Sequence, residues 1–374
     1  MRDADLLAAI DAHLGIGLDA MTFVHGHPEL AHEEHRCSAH LASVLEGGDL
    51  AVELGVAAMP TAFKATLEGG LPGRSVGVVT LYDAVPAVRP DGTITPVHSC
   101  GHGPIAGGVV TAARALGSLR EALRGSFVVV GCPADEIHSP QTRRRGGGKA
   151  LSASAGLWDS LDAALYAHPE FINTVSTRSR WMRREHVRWS GTRSLRPGAP
   201  QPPLDAASQL LEAARLLPRD AVMLERLELD GDVEEGTGLV LSATVLLFAD
   251  DEQRLEELTG ELRLTLPDAE WESSPTVCGV RPDPATTAAV RDAFLAAGLD
   301  FVDDPPALPF ATDFGNISRR VPAALIGIGR EEGWNFHTDD GARQFASGAG
   351  EEATLRLAQV IALSATRLAG AGTP

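Results

Sequence analysis

The sequence predicts an α/β domain interrupted by a smaller α+β unit. Two observations carry this. Short apolar strand runs alternate with helical segments at both ends of the chain, and the element order changes between about residues 185 and 280. Motifs rich in His, Cys and acidic residues lie on either side of that middle stretch, so it reads as an insertion into one larger domain, with residues 1–184 and 281–374 forming the host and 185–280 the insert.

Each element has a local reason. Residues 4–14 and 33–46 place apolar side chains at helical spacing. Val76–Leu81 and Ser126–Val130 are continuous apolar runs of strand length, and the Ala-rich stretch Ile105–Leu116 between them reads as a crossover helix. Ala163–Ala167 is another buried strand, ending at His168. Ala323–Ile328 and Glu351–Leu368 repeat the strand-then-helix pattern. The insert gives a strand at Val187–Trp189, a Pro-rich break, a helix over Asp205–Leu217, strands at Val222–Leu229 and Leu239–Leu247, a helix over Asp251–Leu262 and a last strand near Arg263–Leu266. Strand-helix-strand-strand-helix-strand is the ferredoxin-like order.

The chain has 374 residues, 44% hydrophobic and 22% charged, which suits a globular protein with a substantial core and excludes a disordered or fibrous one. Its net charge of −18 repels nucleic acid and anionic membranes. Only Lys64 and Lys149 are lysines. Cys37, Cys100, Cys132 and Cys278 form neither a C-x-x-C pair nor a disulfide framework. The charged N-terminus does not read as a signal peptide, and no uncharged apolar run approaches about 18 residues, so a cytoplasmic protein without a membrane span is expected.

Four places at predicted strand ends hold candidate chemistry: His98-Ser99-Cys100-Gly101-His102, Pro133-Ala134-Asp135-Glu136, His168-Pro169 and Phe336-His337-Thr338. Ligands of α/β sheets gather beyond the carboxyl ends of strands. Cys, His and Glu are ligand types for zinc and its first-row neighbours. Adjacent acids point to different sides of the local backbone, so one can bind metal while the other faces substrate. Taken singly, each group is more often packing or a hydrogen-bonded core residue; taken together as spacing alone, a metal site and ordinary packing are evenly balanced.

Taken together, these stretches resemble the aminoacylase- and carboxypeptidase-type metallopeptidases of the M-twenty peptidase family, in particular the amidohydrolase branch that includes p-aminobenzoyl-glutamate hydrolase and β-alanyl-dipeptide hydrolases. The matching segments run in family order: His27-Pro28-Glu29-Leu30 with Glu33-Glu34, Tyr82-Asp83-Ala84-Val85-Pro86, His98 to His102, Gly131 to Glu136 with Gly146-Gly147-Gly148-Lys149, Ala167-His168-Pro169, Thr312 to Asn316 with Val321-Pro322, and His337-Thr338. The resemblance implies a di-metal exopeptidase-like catalytic domain with a lid and dimerisation domain, and a homodimer formed through that lid. It implies two divalent ions, zinc or manganese with cobalt as a further candidate, held by Cys100, His102, Glu136, His168 and His337. It further implies Asp135 as general base, Asp83 as the residue orienting a ligand imidazole, and Asp313 and Asn316 as candidate substrate contacts. The substrate would be a small amide.

Three departures from the family pattern stand out. The base position is Asp135 rather than Glu, one methylene shorter, and a displacement of about 1 Å can cost on the order of 100-fold in rate. Leu195 stands where the family carries a lid histidine, leaving Arg193 as the candidate substitute donor. Residues 137–145 are inserted after Glu136 and end in three arginines, which suits a gate, an anion contact or a plain exposed loop. Gly103 also replaces the usual Asn or Asp. Trp181 and Trp334 read as core packing. Three readings remain: an amidohydrolase of N-acyl amino acids or dipeptides, a specialised member acting on an unusual small molecule, and a non-catalytic binding protein.

Overall fold

The computed structural model describes residues 1–192, 196, 198, 202–230 and 238–371. The chain divides into two units, one comprising Met1–Arg178, Val280–Pro306 and Asp313–Pro374, the other Ser179–Gly279 and Ala307–Thr312. The first unit begins α1 (Asp3–Gly26), α2 (His35–Glu46), β1 (Ala51–Leu54), β2 (Phe63–Glu68), β3 (Leu71–Thr80), β4 (Val85–Val88), β5 (Ile94–Val97), α3 (His102–Ser118), β6 (Arg124–Gly131), α4 (Pro140–Arg145), α5 (Gly148–Ser154) and β7 (Ala163–Glu170). The second unit holds β8 (Trp181–Thr192), α6 (Pro202–Leu216), β9 (Val222–Asp230), β10 (Gly238–Ala249), α7 (Glu252–Arg263) and β11 (Glu270–Ser273). The chain then returns to the first unit with α8 (Pro284–Ala296), α9 (Phe314–Ser318), β12 (Ala323–Gly329), α10 (Asp339–Phe345) and α11 (Gly348–Gly370).

The first unit is built on a six-stranded sheet of order β1-β2-β6-β3-β7-β12. Strands β6, β3, β7 and β12 are parallel, while β1 and β2 form an antiparallel edge. The parallel strands are the continuous apolar runs, buried on consecutive residues, as strands covered on both faces must be. Helix α3 is buried along almost its whole length and packs between α1 and α11. The four parallel strands end on one side of the sheet, and the loops leaving them carry the site.

Helix α1 extends to Gly26, well past the expected end at residue 14. By length and hydropathy it is the one described helix long and apolar enough to cross a membrane, a test that the core helix of a globular protein also passes. It packs instead on α3 and α11, burying Leu6, Ile10, Ala20, Met21 and Val24, while Asp3, Asp5 and Asp11 face solvent.

The second unit is a four-stranded antiparallel sheet of order β11-β8-β10-β9 with the βαββαβ sequence of elements. Its core is formed by Leu210 from α6, Leu241, Val245 and Leu247 from β10, and Leu255, Leu258 and Leu262 from α7. The unit starts at Ser179 rather than 185, because β8 already begins at Trp181, and it takes in residues 307–312. Its last strand lies at Glu270–Ser273, not 263–266. Arg263 closes α7, and Leu266 turns into the core and accepts the Trp271 indole N–H at 3.1 Å.

The α1–α3 contact makes a simple prediction. A Cβ on Gly107 would meet the Gly17 carbonyl at 2.6 Å, whereas one on exposed Gly15 meets nothing within 4 Å. Gly107→Val is expected to lower stability by about 1–3 kcal/mol or more, and Gly15→Ala to raise it by about 0.5–1 kcal/mol. Thermal unfolding followed by circular dichroism checks both signs.

Candidate metal centre

The H-S-C-G-H segment enters α3 through Gly101 at φ +96°, where a Cβ would lie 2.8 Å from Pro169. That left-handed turn lets Cys100 and His102 face the same space. Two groups of potential ligands converge there. Cys100, His102 and His168 form one, and Cys100, Glu136 and His337 the other; within each, the ligand atoms lie within 4.8 Å of one another. Cys100 belongs to both. Its Sγ is 3.8 Å from His168 Nε2 and 3.4 Å from His337 Nε2, and Glu136 Oε2 is 3.7 Å from His337 Nε2.

The imidazoles are oriented from behind. His102 Nδ1 donates to the Asp83 carbonyl at 2.7 Å and lies 3.1 Å from Asp83 Oδ1. His168 Nδ1 donates to the Pro169 carbonyl at 2.6 Å. Both rings therefore present Nε2 to the common space, the arrangement a metal-ligating histidine needs. Asp83 Oδ2 also accepts the Glu136 backbone N–H at 2.9 Å, so one buried residue holds His102 through its carbonyl and the Glu136 backbone through its carboxylate. His337 is left-handed at φ +59°, and its N–H donates to the Ser99 carbonyl at 2.9 Å, tying the last ligand back to the first motif.

Electrostatics fit a cation. Burial pushes the Cys100 thiol well above its usual range, and Glu136 adds to it, so a thiolate is favoured there only beside positive charge. Burial and then His102 lower His168 to about 4. Burial lowers His102 as well, but Asp83 and Asp135 outweigh it and raise that imidazole. Two buried atoms that face this space, His102 Nε2 and Glu136 Oε1, have no hydrogen-bond partner. A Cys/His/Glu donor set with orphaned buried nitrogen and oxygen fits divalent first-row ions.

Asp135 Oδ2 is 3.3 Å from His102 Nε2, and its other oxygen is ion-paired with Lys149. Burial alone would raise this carboxyl, yet Lys149 and His102 hold it well below the usual carboxylate range. Asp313 is held by protein groups. It is 1% exposed, sits 2.8 Å from Lys149 Nζ, and accepts the Ala150 N–H at 3.0 Å. Asn316 is half-buried on the same short helix. Arg193 and Leu195 lie outside the described residues. The inserted segment folds as α4 against the N-terminal motif, with Gln141 donating to Glu33 at 3.1 Å and Arg143, Arg144 and Arg145 exposed. Gly103 has a packing reason, since a Cβ there would be 3.2 Å from the Met21 carbonyl. Trp181 and Trp334 are buried, the latter stacked on Phe345 at 4.4 Å.

Residue-level reading of the sequence assigned no role to three residues that shape the site. Lys149 is fully buried. Glu34 is also fully buried and accepts the N–H groups of His32 at 2.8 Å and Ala134 at 2.9 Å, and the Thr61 hydroxyl at 2.9 Å. His32 Nε2 donates to the Gly146 carbonyl at 2.8 Å. The signals were present in the motifs: the E-E pair of the N-terminal stretch and one of only two lysines.

Comparison with known proteins gives the family and the fold. The family described as "Peptidase family M20/M25/M40" matches residues 82–360. The chain belongs to this family. It is 31% identical over 183 residues to one of the p-aminobenzoyl-glutamate hydrolase subunits of Escherichia coli K12, covering 46% of this chain and 36% of that protein, about a third of its length. It is 27% identical over 375 residues to Xaa-Arg dipeptidase of Mus musculus, covering 90% of this chain and 82% of the relative. In fold it matches a dinuclear metal binding peptidase of the M20 family from Bacillus subtilis with a TM-score of 0.70 at 18% identity, over 96% of this chain and 99% of the other. M20 membership places the protein among hydrolytic enzymes, and its relatives act on N-acyl amino acids and dipeptides.

Glu34 yields a prediction. Glu34→Ala leaves two buried N–H groups and a hydroxyl without their acceptor and is expected to destabilise the protein by about 2–4 kcal/mol. Glu34→Gln, which keeps an acceptor oxygen, costs less. Urea unfolding separates them, and an alanine variant as stable as the parent contradicts the role.

Proposed function

We propose that this M20 protein is a metal-dependent amidohydrolase that cleaves the amide bond of a small N-acyl amino acid, a dipeptide or a related amide. The observation that carries the reading is the pair of ligand groups sharing Cys100. In it, Cys100, His102 and His168 hold one divalent ion and Cys100, Glu136 and His337 the other, with zinc, manganese or cobalt as the metals suited to this donor set. Bound there, the ions supply charge that polarises an amide carbonyl and acidifies the attacking water.

The chain's own groups do the rest. Asp83 keeps His102 in the tautomer that offers Nε2. Asp135 turns Oδ2 towards the reacting space, where it accepts the proton of the attacking water and passes it to the leaving amine. Its pairing with Lys149 keeps it ionised and makes it a weaker proton acceptor than an unpaired carboxylate. That observation favours, as a second reading, a specialised reaction on an unusual small molecule. The second unit would act as lid and dimerisation surface. The exposed apolar side chains Met223, Leu224 and Leu229 on its edge strand β9, and Leu204, Leu211 and Leu216 on α6, support that role.

Protein purified without chelator is expected to carry two first-row divalent ions per chain and to hydrolyse members of an N-acyl amino acid and dipeptide panel, with Glu136→Ala lowering turnover by at least about 100-fold. Metal analysis and amine-release assays check this. A clean sample without such metal overturns the reading. Bound metal with no turnover across the panel transfers support to the specialised reaction.

A further inference from the structure

Lys149 enters at the start of α5 with no exposed surface. Its ammonium contacts Asp135 Oδ1, lies 2.8 Å from Asp313 Oδ1, and sits over the Tyr166 ring at 5.2 Å from the centroid. Asp313 is itself fixed, since its Oδ2 accepts the Ala150 N–H at 3.0 Å. The same oxygen lies 2.3 Å from where a Cβ on Gly147 would stand, so the glycine before α5 is what lets the carboxylate approach this closely. On the far side, Asp135 Oδ2 reaches to 3.3 Å from His102 Nε2, and His102 Nδ1 is held by Asp83. One buried chain of contacts thus runs from the α5 backbone through Asp313, Lys149 and Asp135 to His102.

Burying an ammonium is costly, and an apolar residue of similar volume usually serves stability as well or better. Its presence here calls for a role at the site. We propose that Lys149 is a positioning residue that anchors the short Asp135 carboxylate from behind, so that its free oxygen sits at a fixed place beside His102, and that Asp313 anchors the lysine. A longer Glu reaches forward by itself, whereas Asp135 must be set by its partner. The proposal rests on the two-metal reading of the same site.

The test is a double-mutant cycle read by cobalt binding. Co²⁺ is titrated into metal-free full-length protein and followed by its visible absorption, in the parent, Lys149→Met, Asp135→Asn and the double variant. If Lys149 acts through Asp135, Lys149→Met weakens cobalt binding by about tenfold or more and shifts the absorption bands. In the Asp135→Asn background it then changes affinity by less than about twofold, because coupled residues are non-additive. Effects that multiply independently, or an unchanged spectrum in Lys149→Met, overturn the proposal while leaving the metal site standing. A parent protein that binds no cobalt removes the two-metal reading and this proposal with it. Should Lys149→Met fail to fold, Asp313→Asn replaces it in the same cycle. It removes the lysine's second anchor without leaving a buried carboxylate unpaired, and the same two patterns decide.

Discussion

The site depends on one backbone turn. After β6 the chain passes through Ala134 at φ +59°, a left-handed state that costs a non-glycine residue on the order of 1 kcal/mol or more. Glu34 holds it there by accepting the Ala134 N–H, and Glu34 is fixed in turn by Thr61 and the His32 N–H. The turn sets where the next two carboxylates arrive. Asp135 is carried to Lys149 and His102, and Glu136 to Cys100 and His337. Adjacent acids point to different sides of the backbone, and the place of this turn beyond β6 decides what each of them meets.

Charge balance follows from the same packing. Buried Asp83, Glu136 and Asp313 are brought together with partly buried Asp135, and Lys149 is the lysine among them. Several carboxylates against one ammonium in a poorly solvated space is unfavourable unless protons or cations make up the difference. Raised basicity at Glu136 and His102 is how the protein responds with protons. Divalent ions answer the same deficit more completely, and they also turn the thiol of Cys100 into a ligand. Metal binding, on this account, completes the electrostatics of the fold.

Much of this was legible in the sequence. The continuous apolar runs at 126–130, 163–167 and 323–328 lie within the parallel strands β6, β7 and β12, and that at 76–81 overruns β3 by one residue, because strands buried on both faces need apolar residues in succession. The five candidate ligands stood in recognisable motifs. The short edge strands β1 and β11 were not legible, since four residues of mixed polarity carry no period. Neither were the roles of Glu34 and Lys149. Glu34 reaches Thr61 and Ala134, and Lys149 reaches Asp135 and Asp313, all more than ten residues away in sequence, so neither spacing nor residue type reveals these partners. Asp313, which the resemblance implied as a substrate contact, is paired with buried Lys149, a partner that its motif does not reveal.

The central claim is that Cys100 is shared by two adjacent ion sites. Anomalous diffraction from crystals of the protein grown with zinc or manganese tests it most directly. The account predicts two peaks flanking Cys100 Sγ, one beside His102 and His168 and the other beside Glu136 and His337. A single peak, or ions bound away from Cys100, would contradict it.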